Sequence, residues 1–277
     1  MESVDEQLLG AYDRAAPSYD IGGGITIFAP FGERLAKLAQ LQPGERVLDV
    51  ACGAGAALVP AAGLVGPGGE AVGIDLSPRM VERARLAIAQ DGLPQARAEV
   101  MDAAALSFPD ASFDAVLCGF GLSALADPDA ALVQWRRALG PQGRIAVSAW
   151  EDLVDRRWRW ESELTNQLAR EAPPELLETV GRRSRRYDDE GKLRAELEAA
   201  GFTEVSIERM DVEQTYASPE AWWEWVWSHG FRAFVEALPE PARERFRAAA
   251  FAHLAGAGRR ARSRRFVALL ATARVAG

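Results

Sequence analysis

Residues 47–58 read VLDVACGAGAAL. The run that contains their start, ERVLDVA over 45–51, is short, apolar and rich in valine and leucine, which predicts a buried strand. It gives way to a loop spaced by Gly53 and Gly55, where the backbone can turn sharply and let a ligand come close. In open α/β sheets, ligands bind at the carboxyl ends of the strands. A glycine-rich turn alone says little, but three details narrow it. The dinucleotide fingerprint G-x-G-x-x-G requires a third glycine, and Leu58 stands in that place. Asp49 precedes the loop; its fixed charge would repel a pyrophosphate and attract a cofactor carrying an ammonium and a sulfonium. Asp75 ends the next strand, 20 residues after Gly55, where a carboxylate can accept two hydrogen bonds from a ribose diol. The plainer alternatives are a capping aspartate in a strand–helix turn for Asp49 and an N-cap helper for Asp75.

Working outward, strand and helix alternate. EAVGIDL (70–76) reads as a strand, followed by Ser77 as N-cap, Pro78 at the first helical position and a helix to about Gln90. Strands near 97–101, at 113–119 and at 144–150 follow, with a helix at 129–139 and a Gly140–Gly143 turn between the last two. Repeated βαβ units make a parallel sheet covered by helices. Upstream, residues 4–15 form a helix with Val4, Leu8, Leu9 and Tyr12 along one side, then a turn at Gly22, Gly23 and Gly24. A second helix runs from about Phe31 to Leu41 and breaks at Pro43-Gly44. Downstream, 153–180 is helical and split by Pro173-Pro174, 189–200 is a helix ended by Gly201, and 202–212 and 264–275 read as strands around a Trp-rich helical insertion, 216–258.

The 277 residues suffice for one large domain or one domain with an elaborated lid. With a net charge of −8 the chain as a whole does not offer the basic surface that nucleic-acid binding needs, although a local arginine cluster could still bind a small anion. Two cysteines, Cys52 and Cys118, make no disulfide framework and fit a reducing cytoplasm; with two scattered histidines they make no metal site. The amino terminus lacks the basic start and apolar core of a signal peptide, and no run of 18 apolar residues offers a membrane span.

VLDVACGAG, then GIDLSPRMVERAR (73–85), MDAAALSFPDASFDAVLCGFGL (101–122) and RRALGPQGRIAVSAW (136–150), resemble class I S-adenosylmethionine-dependent methyltransferases. Within them the chain resembles the group that includes the ubiquinone/menaquinone-biosynthesis C-methyltransferases and many natural-product methyltransferases. The match covers residues 10–150 well and 185–212 loosely. The resemblance implies an α/β, Rossmann-like, seven-stranded, mostly parallel sheet with helices on both faces, an N-terminal helical lid and a helical insertion before the last strand. The corresponding segments are 1–42 (lid helices), 43–152 (cofactor-binding core), 153–188 (helical cap), 189–215 with 259–277 (completion of the sheet) and 216–258 (Trp-rich lid). It implies S-adenosyl-L-methionine as cofactor, with Asp49, Ala51, Gly53 and Gly55 along its methionine part, Asp75 on the ribose, and Leu76 and Met80 on the adenine side. Asp102 and Ala103 would meet the adenine amino edge, although Asp102 could simply cap a turn. Cys118, Gly119 and Phe120 would border the sulfonium. YDRAAPSYD (12–20) resembles the family's N-terminal lid, so Tyr12 and Tyr19 would close over the cofactor, unless Tyr12 is a core residue of its helix. Two departures stand out: Pro141-Gln142-Gly143 in place of Pro-Gly-Gly, and Gln134-Trp135 where an acidic residue is usual.

No Asn-Pro-Pro-Tyr motif follows the fourth strand; Gly119-Phe120-Gly121-Leu122 stands there, which argues against methylation of DNA-base amino groups. Between 222 and 227 lie four tryptophans. On a helix Trp222, Trp225, Val226 and His229 share one side, and Trp223, Trp227 and Phe231 another. The functional reading is an aromatic substrate pocket, the plainer one core packing with a homodimer contact. His229 is a candidate general base, with Tyr19 as a second catalytic candidate; a hydrogen-bonded structural histidine is the alternative. Arg182, Arg183, Arg185 and Arg186 precede Tyr187 and form either a solvated basic turn or, with Arg182 and Tyr187 at the substrate, a contact to an anionic acceptor such as a prenyl diphosphate. The reading is methyl transfer to oxygen or carbon of an apolar small molecule; the alternative is a cyclase or pericyclase that uses the same fold without net methylation.

Overall fold

The computed structural model describes residues 3–19, 26–152 and 155–276. The expected turn at Gly22, Gly23 and Gly24 lies outside the described residues, as does Asp20 of the lid segment. Seven strands, β1 (Arg46–Val50), β2 (Glu70–Asp75), β3 (Ala96–Val100), β4 (Phe113–Gly119), β5 (Leu139–Trp150), β6 (Phe202–Thr215) and β7 (Ser263–Val275), form one sheet in the order β3-β2-β1-β4-β5-β7-β6. The pairs β1–β2, β1–β4, β2–β3 and β4–β5 are parallel, and β5–β7 is antiparallel. This is the Rossmann-like, mostly parallel sheet that the alternation of elements leads one to expect. From β1 the chain winds outward to β3, then returns to the other side of β1 for β4. The carboxyl ends of β1 and β4 therefore sit side by side where the strand order reverses, the place such sheets leave open for a ligand.

The helices are α1 (Val4–Ala15), α2 (Phe28–Leu38), α3 (Leu58–Val65), α4 (Pro78–Gln90), α5 (Pro128–Ala138), α6 (Arg159–Leu168), α7 (Pro174–Arg185), α8 (Glu190–Ala199), α9 (Pro219–Trp227), α10 (Phe231–Ala237) and α11 (Glu240–Ala255). Their starts follow from capping chemistry. Ser77 accepts from the Met80 amide with Pro78 at the first position, Asp127 accepts from Ala130, and Asp189 accepts from Lys192. Two boundaries differ from expectation. Helix α2 begins three residues earlier than Phe31, since Pro30 fits a first helical turn, and it is finished before Gln40, whose φ is +51°. Strand β5 begins at Leu139, not 144: Phe113 pairs with Leu139 and Ala115 with Arg144, so Gly140–Gly143 is a bulge within the strand.

The chain forms two compact units. The sheet unit comprises Phe28–Glu151, Ser184–Met210 and Ala268–Gly277. Its core joins Leu48, Val50, Val116, Trp135, Leu193 and Tyr187. The unexpected Trp135 is a core residue; its indole Nε1–H donates to the Ala103 carbonyl at 2.9 Å and so ties α5 to the segment after β3. The other unit, Met1–Ile27, Asp152–Arg183 and Asp211–Val267, has an aromatic core. Trp158, Tyr216, Trp222 and Phe246 are all fully buried there, and Trp158 Nε1–H donates to the Ser263 carbonyl at 2.8 Å. Among the described residues no helix is long and apolar enough to cross a membrane.

Candidate cofactor site

The carboxyl end of β1 is built around a conflict. Asp49 is 1% exposed, and neither carboxylate oxygen has a hydrogen-bond partner. Its pKa is pushed up to about 8, first by burial and then by the charge of Asp75, against a small opposing effect of the Leu58 amide. A buried carboxylate without a donor costs free energy that folding alone gives no reason to spend.

Asp75, at the end of β2, is treated differently. Its Oδ2 accepts from the Gly53 amide and its Oδ1 from the Ser77 amide, both at 2.9 Å. Burial raises its pKa while those amides and that of Leu76 oppose the rise. Each oxygen keeps a second lone pair, so the side chain retains the capacity to receive a diol. Next to it Leu76 is 50% exposed, an apolar side chain presented to the outside at the end of a buried strand. Met80 is buried on α4. Asp102 is exposed and its Oδ1 accepts from the Ala104 amide at 2.8 Å, the turn-capping alternative, while Ala103 is buried beneath Trp135.

The loop itself is tightly set. Ala51 and Gly53 adopt positive φ of +52° and +53°, and Gly55 +96°. A side chain at Gly32 of α2 would place its Cβ 2.2 Å from the Ala56 carbonyl oxygen, so α2 packs backbone to backbone on this loop. At Gly73, opposite Asp49 in the ladder, a Cβ would meet Leu58 at 2.5 Å and the Cys52 sulfur at 2.9 Å. At the neighbouring strand end, Cys118 is fully buried and its thiol is pushed up to about 12 by burial and by Asp49. Phe120 follows with φ +61°, and its amide donates to Ser148 Oγ at 3.1 Å. Sequence reasoning singled out Phe120 alone, but the structure surrounds it with Phe28 and Phe31 from α2 and Trp150 from the end of β5. Phe120 stacks on Trp150 with centroids 4.1 Å apart, and Phe28 meets both rings at 5.5 and 5.9 Å. The available signals were the i, i+3 spacing of Phe28 and Phe31 and an aromatic residue at a strand's carboxyl end.

The remaining candidates lie elsewhere. Tyr187, expected at the substrate, is a core residue of the sheet unit, 1% exposed, under the Arg186 guanidinium. The basic cluster is dispersed: Arg186 is held by Asp129 and Glu196, Arg183 pairs with Asp5 in its own unit, and Arg182 is exposed. In the aromatic unit, Tyr12 and Tyr19 have ring centroids 6.4 Å apart, and the Tyr12 hydroxyl sits 2.6 Å from where a Cβ on Gly230 would be. Trp222 and Trp225 are buried in the ring packing of that unit, not on an open wall, since Tyr216, Phe246 and Trp160 occupy the adjoining space. His229 follows α9, its Nδ1 2.7 Å from the Trp225 carbonyl, and burial lowers its pKa to about 4.

A mostly parallel sheet of this strand order, with an unpartnered aspartate at the end of β1 and a second at the end of β2 held by loop amides, fits the class of S-adenosylmethionine-dependent methyltransferases, and the comparisons with known proteins agree. Residues 47–143 match the methyltransferase domain family. Over 239 residues the chain is 34% identical to the nocamycin O-methyltransferase of Saccharothrix syringae, covering 84% of this chain and 85% of that protein. A shorter stretch of 147 residues, 53% of this chain and 66% of its relative, is 40% identical to the aklanonic acid methyltransferase of Streptomyces sp. strain C5. The crystal structure of YcgJ from Bacillus subtilis shares the fold at 20% identity, with a TM-score of 0.59 over 90% of this chain and 99% of that one. The chain belongs to the S-adenosylmethionine-dependent methyltransferase family.

Proposed function

We propose that the protein transfers the methyl group of S-adenosylmethionine to an oxygen, or failing that a carbon, of an apolar small-molecule acceptor of the natural-product kind. The observation that carries the cofactor half of this reading is Asp49: a buried carboxylate with two unsatisfied oxygens is complementary to an ammonium. Asp49, Ala51, Gly53 and Gly55 would hold the amino-acid end, Asp75 the ribose, and Leu76, Met80, Asp102 and Ala103 the adenine. When bound, S-adenosylmethionine supplies a methyl on a positively charged sulfur, a carbon already activated for displacement. The chain's own task is then to orient the acceptor and keep water away. For the acceptor half, the partly exposed rings of Phe28, Phe120 and Trp150 at the ends of β4 and β5 favour an apolar, flat molecule. Oxygen is preferred over carbon because a relative 34% identical over 84% of this chain is named an O-methyltransferase.

Titration calorimetry with S-adenosylmethionine, followed by incubation with the methyl-labelled cofactor and a fractionated extract of apolar metabolites, tests both halves. Binding together with label in an ether- or ester-bearing product is expected. Binding without transfer to any fraction counts against methylation, and absence of binding against the whole reading.

A further inference from the structure

The two aspartates of the sheet unit are the same residue type in opposite surroundings. Asp75 receives the Gly53 and Ser77 amides, one on each oxygen at 2.9 Å. Asp49 receives none: both of its oxygens are buried without a hydrogen-bond partner, and the Leu58 amide is the weakest of the influences on it. Among the described residues neither carboxylate has an arginine, lysine or histidine acting on it.

Nothing else that faces Asp49 brings a positive charge. Asp75 adds a second negative charge from β2. Cys52 in the loop and Cys118 at the end of β4 are buried thiols, which burial and Asp49 keep from ionising. Helix α3 has no titratable residue, and the buried residues of α2 and α4 are uncharged. A carboxylate so placed gives up its charge rather than hold it unpaired. Its pKa of about 8 has the same causes, burial first and then Asp75. At pH 7 and below, Asp49 of the ligand-free chain is therefore a carboxylic acid.

We propose that Asp49 exchanges its proton for the cofactor's ammonium: binding the amino-acid tail of S-adenosylmethionine or S-adenosylhomocysteine releases a proton to solvent, and binding a nucleoside without that tail releases none. The proposal rests on the cofactor reading and deepens it. The Asp49 O–H bond breaks, its electron pair stays on the carboxylate oxygen, and the proton leaves to the buffer; the ammonium keeps its own three. The charge formed on Asp49 is met by the ammonium, which offsets its burial. Asp75 does not take part, because its two amides already steady its charge and the ribose diol it would receive is neutral. Asp49 thus sorts adenosine ligands by their tail, and does so more sharply as pH rises. Below its pKa, each unit of acidification weakens a ligand with the tail about tenfold and leaves one without it unchanged.

Calorimetry at pH 6.5 in buffers of different ionisation enthalpy counts the protons. S-adenosylhomocysteine and 5′-methylthioadenosine are the probes: both carry the adenosine, and only the first carries the tail, whose amine stays protonated from pH 5.5 to 7. About one proton released per S-adenosylhomocysteine bound, and about none per 5′-methylthioadenosine, is expected. From pH 7 to 5.5 the Kd of S-adenosylhomocysteine should rise about 30-fold and that of 5′-methylthioadenosine less than about twofold. Asp49→Asn should bind S-adenosylhomocysteine more weakly, with no proton released and no such pH slope, while its Kd for 5′-methylthioadenosine stays within about twofold and reports an intact fold. Release with both ligands overturns the proposal, since it assigns the exchange to an acid that the shared adenosine meets. Binding of S-adenosylhomocysteine without release, or release that persists in Asp49→Asn, overturns it as well. All three leave the cofactor reading intact. Failure of both S-adenosylmethionine and S-adenosylhomocysteine to bind overturns that reading, and the proposal with it.

Discussion

Replacing Asp49 by asparagine should stabilise the cofactor-free protein and weaken its hold on S-adenosylmethionine. The side chain ionises in the unfolded chain near 3.8 and in the folded chain near 8. Between those values the folded chain keeps a proton that the unfolded chain has released, so stability falls as pH rises through that window. At pH 7 the difference amounts to about 4 kcal/mol as an upper limit, using about 1.4 kcal/mol per pKa unit. Local relaxation and water reduce it, and roughly 2 kcal/mol is a working figure. Asparagine retains the shape and the unsatisfied polar atoms but not the ionisation, so this is the portion it recovers. A gain of that size raises Tm by roughly 4–8 °C in a chain of this length. Thermal melts of both proteins without cofactor, at pH 5, 6, 7 and 8, provide the assay. The wild type should lose Tm from pH 5 to 8, the variant should lose less, and the gap should widen with pH. Calorimetry should show at least about a tenfold loss in affinity for S-adenosylmethionine, the scale of one lost charge-assisted contact. A variant that melts at or below the wild type at pH 8, with the same pH slope, refutes the argument that Asp49 is a stability cost held for a cationic ligand.

Three further changes probe the frame around it. Gly32→Ala forces a Cβ against the Ala56 carbonyl at 2.2 Å; destabilisation of about 1–3 kcal/mol in urea titration and weaker cofactor binding are expected, because the clash falls on the loop. Ala51→Gly relieves a φ of +52° and should be neutral or stabilising by about 1 kcal/mol, the reverse of an ordinary Ala→Gly change; a clear loss in a denaturant titration would show the strain argument wrong. Trp222→Ala should cost about 3–5 kcal/mol by the same measurement, as expected for a fully buried indole, with the loss seen in the melt before any change in cofactor affinity.

What the sequence made legible follows from where its signals are local. The β1 loop, the Asp75 strand end and the Ser77–Pro78 start could each be read from a few adjacent residues, since strand burial, glycine spacing and capping are short-range effects. The bulge in β5 was not legible: it arises because β4 advances from Phe113 to Ala115 while β5 advances from Leu139 to Arg144, a property of two strands together. Phe28, Phe31 and Trp150 were missed around Phe120 for the same reason, since α2 and the end of β5 meet only in the folded sheet. The tryptophan helix shows the opposite limit. Its two-sided periodicity was plain, but periodicity cannot tell a ring facing a ligand from one facing Phe246 or Tyr216, and in the structure Trp222 and Trp225 face rings. Glu161 and Arg264 pair at 2.6 Å from positions 103 apart, and nothing local to either residue signals that pairing.

The costs that folding does not require are concentrated where a ligand would recover them. Among the described residues five non-glycine residues have positive φ, and two of them, Ala51 and Phe120, follow the carboxyl ends of β1 and β4. The other three, Gln40, Ala111 and Glu204, lie in ordinary turns or at strand entries, where the chain reverses regardless. At the strand ends no reversal is being made that glycine could not make more cheaply; the non-glycine side chains are kept there in spite of the strain. Add the unsatisfied oxygens of Asp49 between them, and the site carries a backbone penalty and an ionisation penalty within a few residues. A sequence selected only for a stable sheet would discard both, by glycine at 51 and asparagine at 49. That both persist in one crevice, at the reversal of strand order, is what separates a binding site from a merely glycine-rich turn.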